Sequence, residues 1–405
     1  MTFRRYAIAL LCAALCLGIA AAAINVVIDP YGLFNWVRVE GVNAKKAYAY
    51  THKHLAKQTR ALRLAPRTVL LGNSRVDIGF DPKSEAWPDT MRPVANLAIP
   101  GDDMERLAET YEFAQRELAP TTIFIGLDFF DFLFAVPARP ETRLPLQSSD
   151  AGRVLPKLPE AVFSTTALLD SFKTIVAQYQ PASPAMTDAG FNPMRDYRAI
   201  VRREGQWPMV NSKNRQHAQY LVQRSRSVTL PDGEPTGALV SLRDILTQAA
   251  AYDQHVVLFT YPLHGHFYAL LDVSERWPLF EEWKRAIVAQ WQAVQTLHPE
   301  WSSAFWDFAL LTPITTEPAP LPGNRDRRMQ WYWEPGHFKA ELGSVLIGQL
   351  TETAGSGFGE RFIPSELEEH LARQRLALAD YMRAHPEDVA YLRNLCEALG
   401  CTQGF

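Results

Sequence analysis

Thr68-Val69-Leu70-Leu71-Gly72-Asn73-Ser74-Arg75 is the stretch that decides the fold. Val69, Leu70 and Leu71 form an unbroken apolar run, as a strand covered on both faces requires. Gly72 permits a sharp turn where a Cβ would clash. A serine on a strand-to-helix turn has its hydroxyl exposed and backbone N–H groups close by, which is what an activated nucleophile needs. Ser74 is equally a residue type favoured as a helix N-cap, with no chemistry attached.

Strands and helices alternate on either side of this turn. Val94–Ala98 reads as a second strand and Met104–Leu118 as a helix, with Leu107, Tyr111, Ala114 and Leu118 at helical spacing. Thr121–Leu127 reads as a third strand. Strand, helix and strand over this length make a βαβ unit, hence a parallel sheet with a right-handed crossover. Further on, Ile245–Tyr252 ends another helix and His255–Tyr261 is a fourth strand. Glu281–Leu297 is a Trp-rich amphipathic helix, Ala304–Phe308 a fifth strand and Phe338–Leu350 a closing helix. The expected class is α/β with a central parallel sheet over 66–350. From about 137 to 235 the alternation fails, which predicts an insertion of helices and loops beside the active edge of the sheet. Residues 360–405 read as a tail of two polar helices.

The N-terminus carries a second signal. Arg4 and Arg5 precede an apolar run from Tyr6 to Ile28, broken by Asn25. At ~1.5 Å per residue such a run can cross a hydrocarbon core of about 30 Å. The leading arginines orient the N-terminus inward and the bulk of the chain outward, which predicts a single-pass inner-membrane protein with an extracytoplasmic domain. A cleaved signal peptide is the rival, since Ala20 to Ala23 offer small residues for cleavage. Residues 29–65 read as a juxtamembrane segment with helical character from Lys45. Lys53, Lys57, Arg60 and Arg63 fall on its polar side, where they either rest on anionic headgroups or face solvent.

Composition excludes some classes. Of 405 residues, 47% are hydrophobic and the formal net charge is -3, without a massed basic stretch, so nucleic acid is not an expected partner. Outside the apolar run only Cys396 and Cys401 remain, either as a disulfide or as free thiols. No cysteine or histidine pattern has zinc spacing, and no metal or cofactor is expected. His264 and His266 lie two residues apart after the fourth strand without an identifiable third ligand.

Ligands of open α/β sheets sit beyond the carboxyl ends of the strands. Gly72–Arg75, Ala98–Asp102, Gly126–Asp131 and Tyr261–His264 all fall there, and Glu334-Pro335-Gly336-His337 precedes the last helix. This order resembles the SGNH/GDSL hydrolase superfamily over roughly 66–350, and the anchored arrangement is similar to the alginate O-acetyltransferase accessory proteins. The resemblance implies a flavodoxin-like three-layer domain. It implies Ser74 as nucleophile, His337 as general base and Glu334 as the acid orienting it, where the family has Asp. It implies Gly101 as an oxyanion-hole donor together with the Ser74 N–H. Asp128 stands where the family has an Asn-bearing block, and an ionised aspartate cannot donate to an oxyanion. Either that donor is missing, or Asn73 or Arg75 replaces it, with Asp128 pairing with Arg75 as the alternative. His264 is read as a substrate contact. Trp331, Tyr332 and Trp333 either stack on sugar rings or pack in the core.

The function expected from the resemblance is a serine esterase or O-acyltransferase acting on acyl groups of a cell-envelope glycan, with a membrane acyl-donor protein as a partner. Two rivals remain: a catalytically silent SGNH-like scaffold or glycan-binding protein, and a carbohydrate-binding module with no serine site.

Overall fold

A computed structural model describes residues 3–133, 158–223, 227–230, 233–355 and 357–401. Helix α1 (Phe3–Ile28) is long and apolar enough to cross a membrane. Most of its length is exposed, but Asn25 is buried, donating to Val162 O at 2.7 Å and accepting from Ser171 Oγ at 3.0 Å. The chain then folds around Asp29, which accepts the N–H groups of Leu33 and Asn35 at 2.7 and 2.8 Å, and enters α2 (Lys53–Leu64).

This segment corrects the headgroup reading of the basic stretch. Lys57 and Arg60 are buried. Lys57 Nζ lies 2.6 Å from Asp77 Oδ1, and Arg60 donates to Tyr31 O and Ala56 O. Their partners are protein groups, so these two cations are spent inside the fold. Tyr31, Leu33, Leu55, Ala161, Ala167 and Met186 share a small second core, which joins this segment to the insertion.

Next come β1 (Thr68–Leu71), α3 (Ser74–Gly79), β2 (Val94–Asn96), α4 (Met104–Glu117) and β3 (Thr122–Leu127). Of the expected insertion, 137–157 lies outside the described residues, as do 224–226 and 231–232. Its described part holds α5 (Leu158–Phe163), α6 (Thr165–Ala177), α7 (Arg195–Glu204) and α8 (Trp207–Gln223). Helices α7 and α8 pack against the Tyr332–Glu334 segment, α7 through Tyr197 and Val201 on Trp333; α5 and α6 pack on α1, away from the sheet edge where the whole insertion was expected. The chain continues through α9 (Gly237–Ala251), β4 (His255–Thr260), α10 (Gly265–Val273), α11 (Trp277–Leu297) and β5 (Ser303–Asp307). The remaining elements are β6 (Tyr332–Glu334), β7 (His337–Phe338), α12 (Ala340–Leu350), β8 (Glu360–Arg361), α13 (Leu367–Ala384) and α14 (Pro386–Leu399).

Among the described residues the main sheet has six strands in the order β2-β1-β3-β4-β5-β8. The first five are parallel and β8 joins the edge antiparallel. Every side chain of β1 and β3 is buried, as their apolar runs require. Chain direction across the sheet reverses between β1 and β3, so their carboxyl ends open a crevice. Right-handed crossovers place α4, α9 and α11 on one face, and these pack side by side; α3 and α12 meet on the other.

Two differences from expectation concern the C-terminal part. Phe338 belongs to the small β6–β7 hairpin rather than to the closing helix. The two C-terminal helices are built into the domain rather than appended: His370 and Gln374 of α13 reach Asp307 Oδ2 at 2.7 and 2.8 Å. Lys284 of α11 meets the same oxygen at 2.7 Å. Cys396 and Cys401 are joined as a disulfide that closes the end of α14.

Candidate active site

Ser74 stands at the first position of α3, directly beyond β1. Asn73 caps this helix by accepting from Arg75 N–H at 3.2 Å. Gly72 makes the turn at φ 151°, where a Cβ would lie 2.6 Å from both the Tyr261 hydroxyl and Val76 Cγ2. No intrahelical carbonyl precedes Ser74, so its N–H is one of the orphan donors at the start of the helix.

The base arrives on the β6–β7 hairpin. Glu334 and His337 are directly paired across it, with Pro335-Gly336 as the turn. Residues paired directly across antiparallel strands project from the same face, so the spacing of three brings carboxylate to imidazole. Phe338, the next residue, packs over Gly79 at the end of α3: a Cβ there would lie 2.1 Å from the Phe338 ring. Gly343 of α12 lies against the other side of that turn, where a Cβ would lie 1.7 Å from Gly79 O. Two glycines thus let the serine helix, the histidine strand and the last helix approach closely.

The result is a linear array. Ser74 Oγ is 2.7 Å from His337 Nε2, and His337 Nδ1 bonds to Glu334 Oε1. Glu334 Oε2 accepts the Gly336 N–H at 2.6 Å. Burial alone would raise the Glu334 carboxyl, but His337, Lys213 and the Gly336 N–H outweigh it and hold it at about 2. Burial pushes His337 below its ordinary value against the pull of Glu334. At neutral pH the pair is therefore an ionised carboxylate and a neutral imidazole protonated on Nδ1. Nε2 is then free to accept the Ser74 proton.

Neither protein-family models nor curated proteins match this chain. The site must be read from its geometry.

The other expected site residues fall in three places. Arg75 and Asn73 turn toward the end of β3. Arg75 Nη1 pairs with Asp128, its Nε donates to Gly336 O at 2.9 Å, and its guanidinium lies 5.3 Å from the Tyr261 ring centre. Asn73 Nδ2 donates to Asp128 at 2.9 Å and Asp131 at 3.3 Å. This corrects their reading as replacement oxyanion donors: both side chains already have carboxylate partners, and Asp128 takes the alternative role of pairing with Arg75. Burial and the neighbouring Asp128 raise Asp131 well above the ordinary range.

Gly101 sits at φ 81° in the exposed turn after β2. That turn is tied to the serine loop by the Ile99 N–H, which bonds Gly72 O at 3.0 Å. His264 is placed elsewhere, and its reading as a substrate contact is corrected. It is buried at the start of α10, with Nδ1 accepting from His266 N–H and Nε2 donating to Glu317 O at 2.7 Å. Burial and His266 lower it to about 3, so it is a neutral hydrogen-bonding residue. Tyr332 and Trp333 are buried and Trp331 is partly so, which makes them packing residues.

Sequence reading missed the α8 side of the site. Lys213 Nζ is 3.7 Å from Glu334 Oε1. A Cβ on Gly336 would lie 2.9 Å from the Lys213 stem and 3.0 Å from His217 Nε2. Lys213 and His217 are four apart on one face of a helix, a spacing that marks neighbours without saying what they neighbour. An open cleft of about 710 Å³ runs between α7 and α8, lined by Tyr197, Met209, Ser212, Lys213, Gln216 and Glu334.

Proposed function

We propose that this chain is a serine esterase or O-acyltransferase of the SGNH type, anchored by α1 with its domain outside the cytoplasm and acting on acyl esters of a cell-envelope glycan. The observation that carries the proposal is Ser74 Oγ at 2.7 Å from His337 Nε2, with Glu334 bonded to the far nitrogen of the same ring. The strand order, with its reversal beside Ser74, agrees with a flavodoxin-like SGNH domain. Packing of α5 and α6 on the end of α1, through Asn25, supports a retained anchor over a cleaved signal peptide.

In this mechanism Ser74 Oγ attacks the ester carbonyl while its proton passes to His337 Nε2. The imidazolium gives that proton to the departing alcohol, leaving an acyl-serine. Water or a sugar hydroxyl then attacks the acyl carbon, its proton passing through His337 back to Ser74. Water as acceptor makes the protein an esterase; a glycan hydroxyl, with the acyl group supplied by a membrane donor protein, makes it a transferase. Glu334 keeps the imidazole in the productive tautomer and stabilises the imidazolium. The Ser74 N–H, with the Gly101 N–H, is assigned to the oxyanion.

One observation favours a catalytically silent scaffold or glycan binder instead: Arg75–Asp128 occupies the place of an uncharged donor. Incubating the full chain with an activated acetyl or fluorophosphonate ester and mapping the adduct by mass spectrometry decides between them. Modification at Ser74 that disappears in Ser74→Ala and His337→Ala supports the enzyme. A folded wild type that takes no label overturns it.

A further inference from the structure

Helix α6 is amphipathic in the inverted sense. Its inner face is polar: Asp170, Ser171 and Thr174 are buried there, as is Gln178 just beyond its end. Asp170 accepts from the Tyr31 hydroxyl at 3.0 Å, Ser171 bonds Asn25 and Gln178 accepts from Lys45 N–H at 2.8 Å. Its outer face carries Leu169, Phe172 and Val176, and Phe163 at the end of α5 and Tyr179 just beyond α6 extend that apolar surface; each of the five is between 53% and 76% exposed. A helix on a water-facing surface turns its apolar stripe inward, so this arrangement signals a nonaqueous neighbour.

The position of that face identifies the neighbour. α5 and α6 pack on the last turns of α1, where Asn25 is the buried contact. Asn25 lies twenty residues beyond Arg5, about 30 Å along the helix, which is the thickness of a hydrocarbon core. The apolar face of α6 is thus continuous with the exposed apolar sides of α1 at the level where the core gives way to headgroups. Trp36 is 76% exposed, and its loop reaches Tyr179: a Cβ on Gly41 would lie 3.4 Å from that hydroxyl. Trp and Tyr at such a level are what the membrane interface selects. Lys173, the cation on the outer side, leans back to Asp170 at 3.6 Å.

We propose that α5 and α6 form a second membrane contact, lying in the lipid interface beside α1 with Phe163, Leu169, Phe172, Val176, Tyr179 and Trp36 immersed at the acyl–headgroup boundary. The occupant of this face is lipid, and the contact rests on α1 spanning the bilayer, not on the chemistry of Ser74.

The test uses the full chain in phosphatidylcholine–phosphatidylglycerol vesicles, with Cys12 and Cys16, both exposed and free, changed to Ser. Nitroxide labels are placed singly through Leu11→Cys, Leu169→Cys, Phe172→Cys, Val176→Cys and, as an aqueous control, Leu376→Cys. Relaxation by oxygen exceeding that by a water-soluble nickel chelate at 169, 172 and 176, as at 11, and the reverse order at 376, is the expected result. Nickel accessibility at 172 and 176 equal to that at 376, with 11 still in lipid, overturns the proposal and leaves the anchor standing. Shielding of 172 and 176 from both relaxants assigns the face to a protein partner or a second copy and overturns it as well.

Discussion

Lys57→Met tests how the serine helix is held. The ammonium is fully buried, 2.6 Å from Asp77 Oδ1 and 3.2 Å from Asn96 Oδ1, and it also donates to Ala98 O. Methionine keeps most of the aliphatic stem, so packing changes little and the loss is electrostatic. Asp77 is left ionised in a fully buried position with only neutral side-chain partners, the Tyr50 hydroxyl at 3.1 Å and Asn192. Breaking a buried pair by removing one member costs about 3–5 kcal/mol. Against a total stability of roughly 5–15 kcal/mol this is a large fraction. Asp77 is the fourth residue of α3, so the deficit falls on the helix that presents Ser74. Urea unfolding of the full chain in detergent measures it as a drop in midpoint at constant slope. Lys57→Met/Asp77→Asn removes both charges and recovers most of the loss. The sign with pH is also set: burial already raises Asp77, and without the ammonium its folded value rises further. The single variant's deficit is therefore full above that raised value and shrinks as pH falls through it, where the carboxyl takes up a proton. A loss no larger than the roughly 1 kcal/mol of an average substitution, or a double variant no more stable than the single one, refutes the reasoning.

Glu334→Gln leaves the fold intact by circular dichroism and slows acylation of Ser74 by roughly 10³–10⁴-fold, because the amide favours the wrong imidazole tautomer; a loss under tenfold denies Glu334 its orienting role. Acylation needs neutral His337, so its rate falls as pH falls, with a midpoint below 6.5, which stopped-flow labelling across pH measures; a midpoint above 6.5 contradicts the dominance of burial. Gly343→Ala places a methyl 1.7 Å from Gly79 O and costs about 1–3 kcal/mol with slower Ser74 labelling, read by thermal melting and label uptake; unchanged values for both show that α12 does not press on α3.

The parts of the fold legible in sequence are those whose signal is local. β1 and β3 are contiguous apolar runs because both faces are covered, and the α4 stripe lies within one helix. β8 carries no such signal: Glu360 and Arg361 are exposed and are strand residues only because they pair with Asp307 and Trp306, more than fifty residues away in sequence. Lys57 and Arg60 looked like a solvated basic face because Asp77 and Tyr31 are distant in sequence. The Glu334–His337 spacing was visible, but its geometry depends on a hairpin two to three residues long per strand, too short for a period. Asn73 and Arg75 were correctly placed beside Ser74 and wrongly aimed, since their carboxylate partners come from β3.

One consequence joins the two ends of the molecule. The segment between anchor and sheet is not a tether. Just beyond the end of α1, Tyr31 holds Asp170 of α6, and Asp29 lies 3.5 Å from Lys46. Helix α2 is held to both ends: its second half donates from Arg60 to Tyr31 O and from Arg63 to Gly32 O, while in its first half Lys57 meets Asp77 of α3 and His54 bonds Asp102 beyond the Gly101 turn at 2.8 Å. Both loops assigned to the acyl group in the proposed function, those of Ser74 and Gly101, are thus braced by the same helix that holds the loop of residues 31–33 following α1. A flexible linker would let the serine sample a wide range of heights above the bilayer. In the proposed function, a packed α2 limits that range and favours repeated encounter with an acyl donor or acceptor at the membrane surface in one geometry.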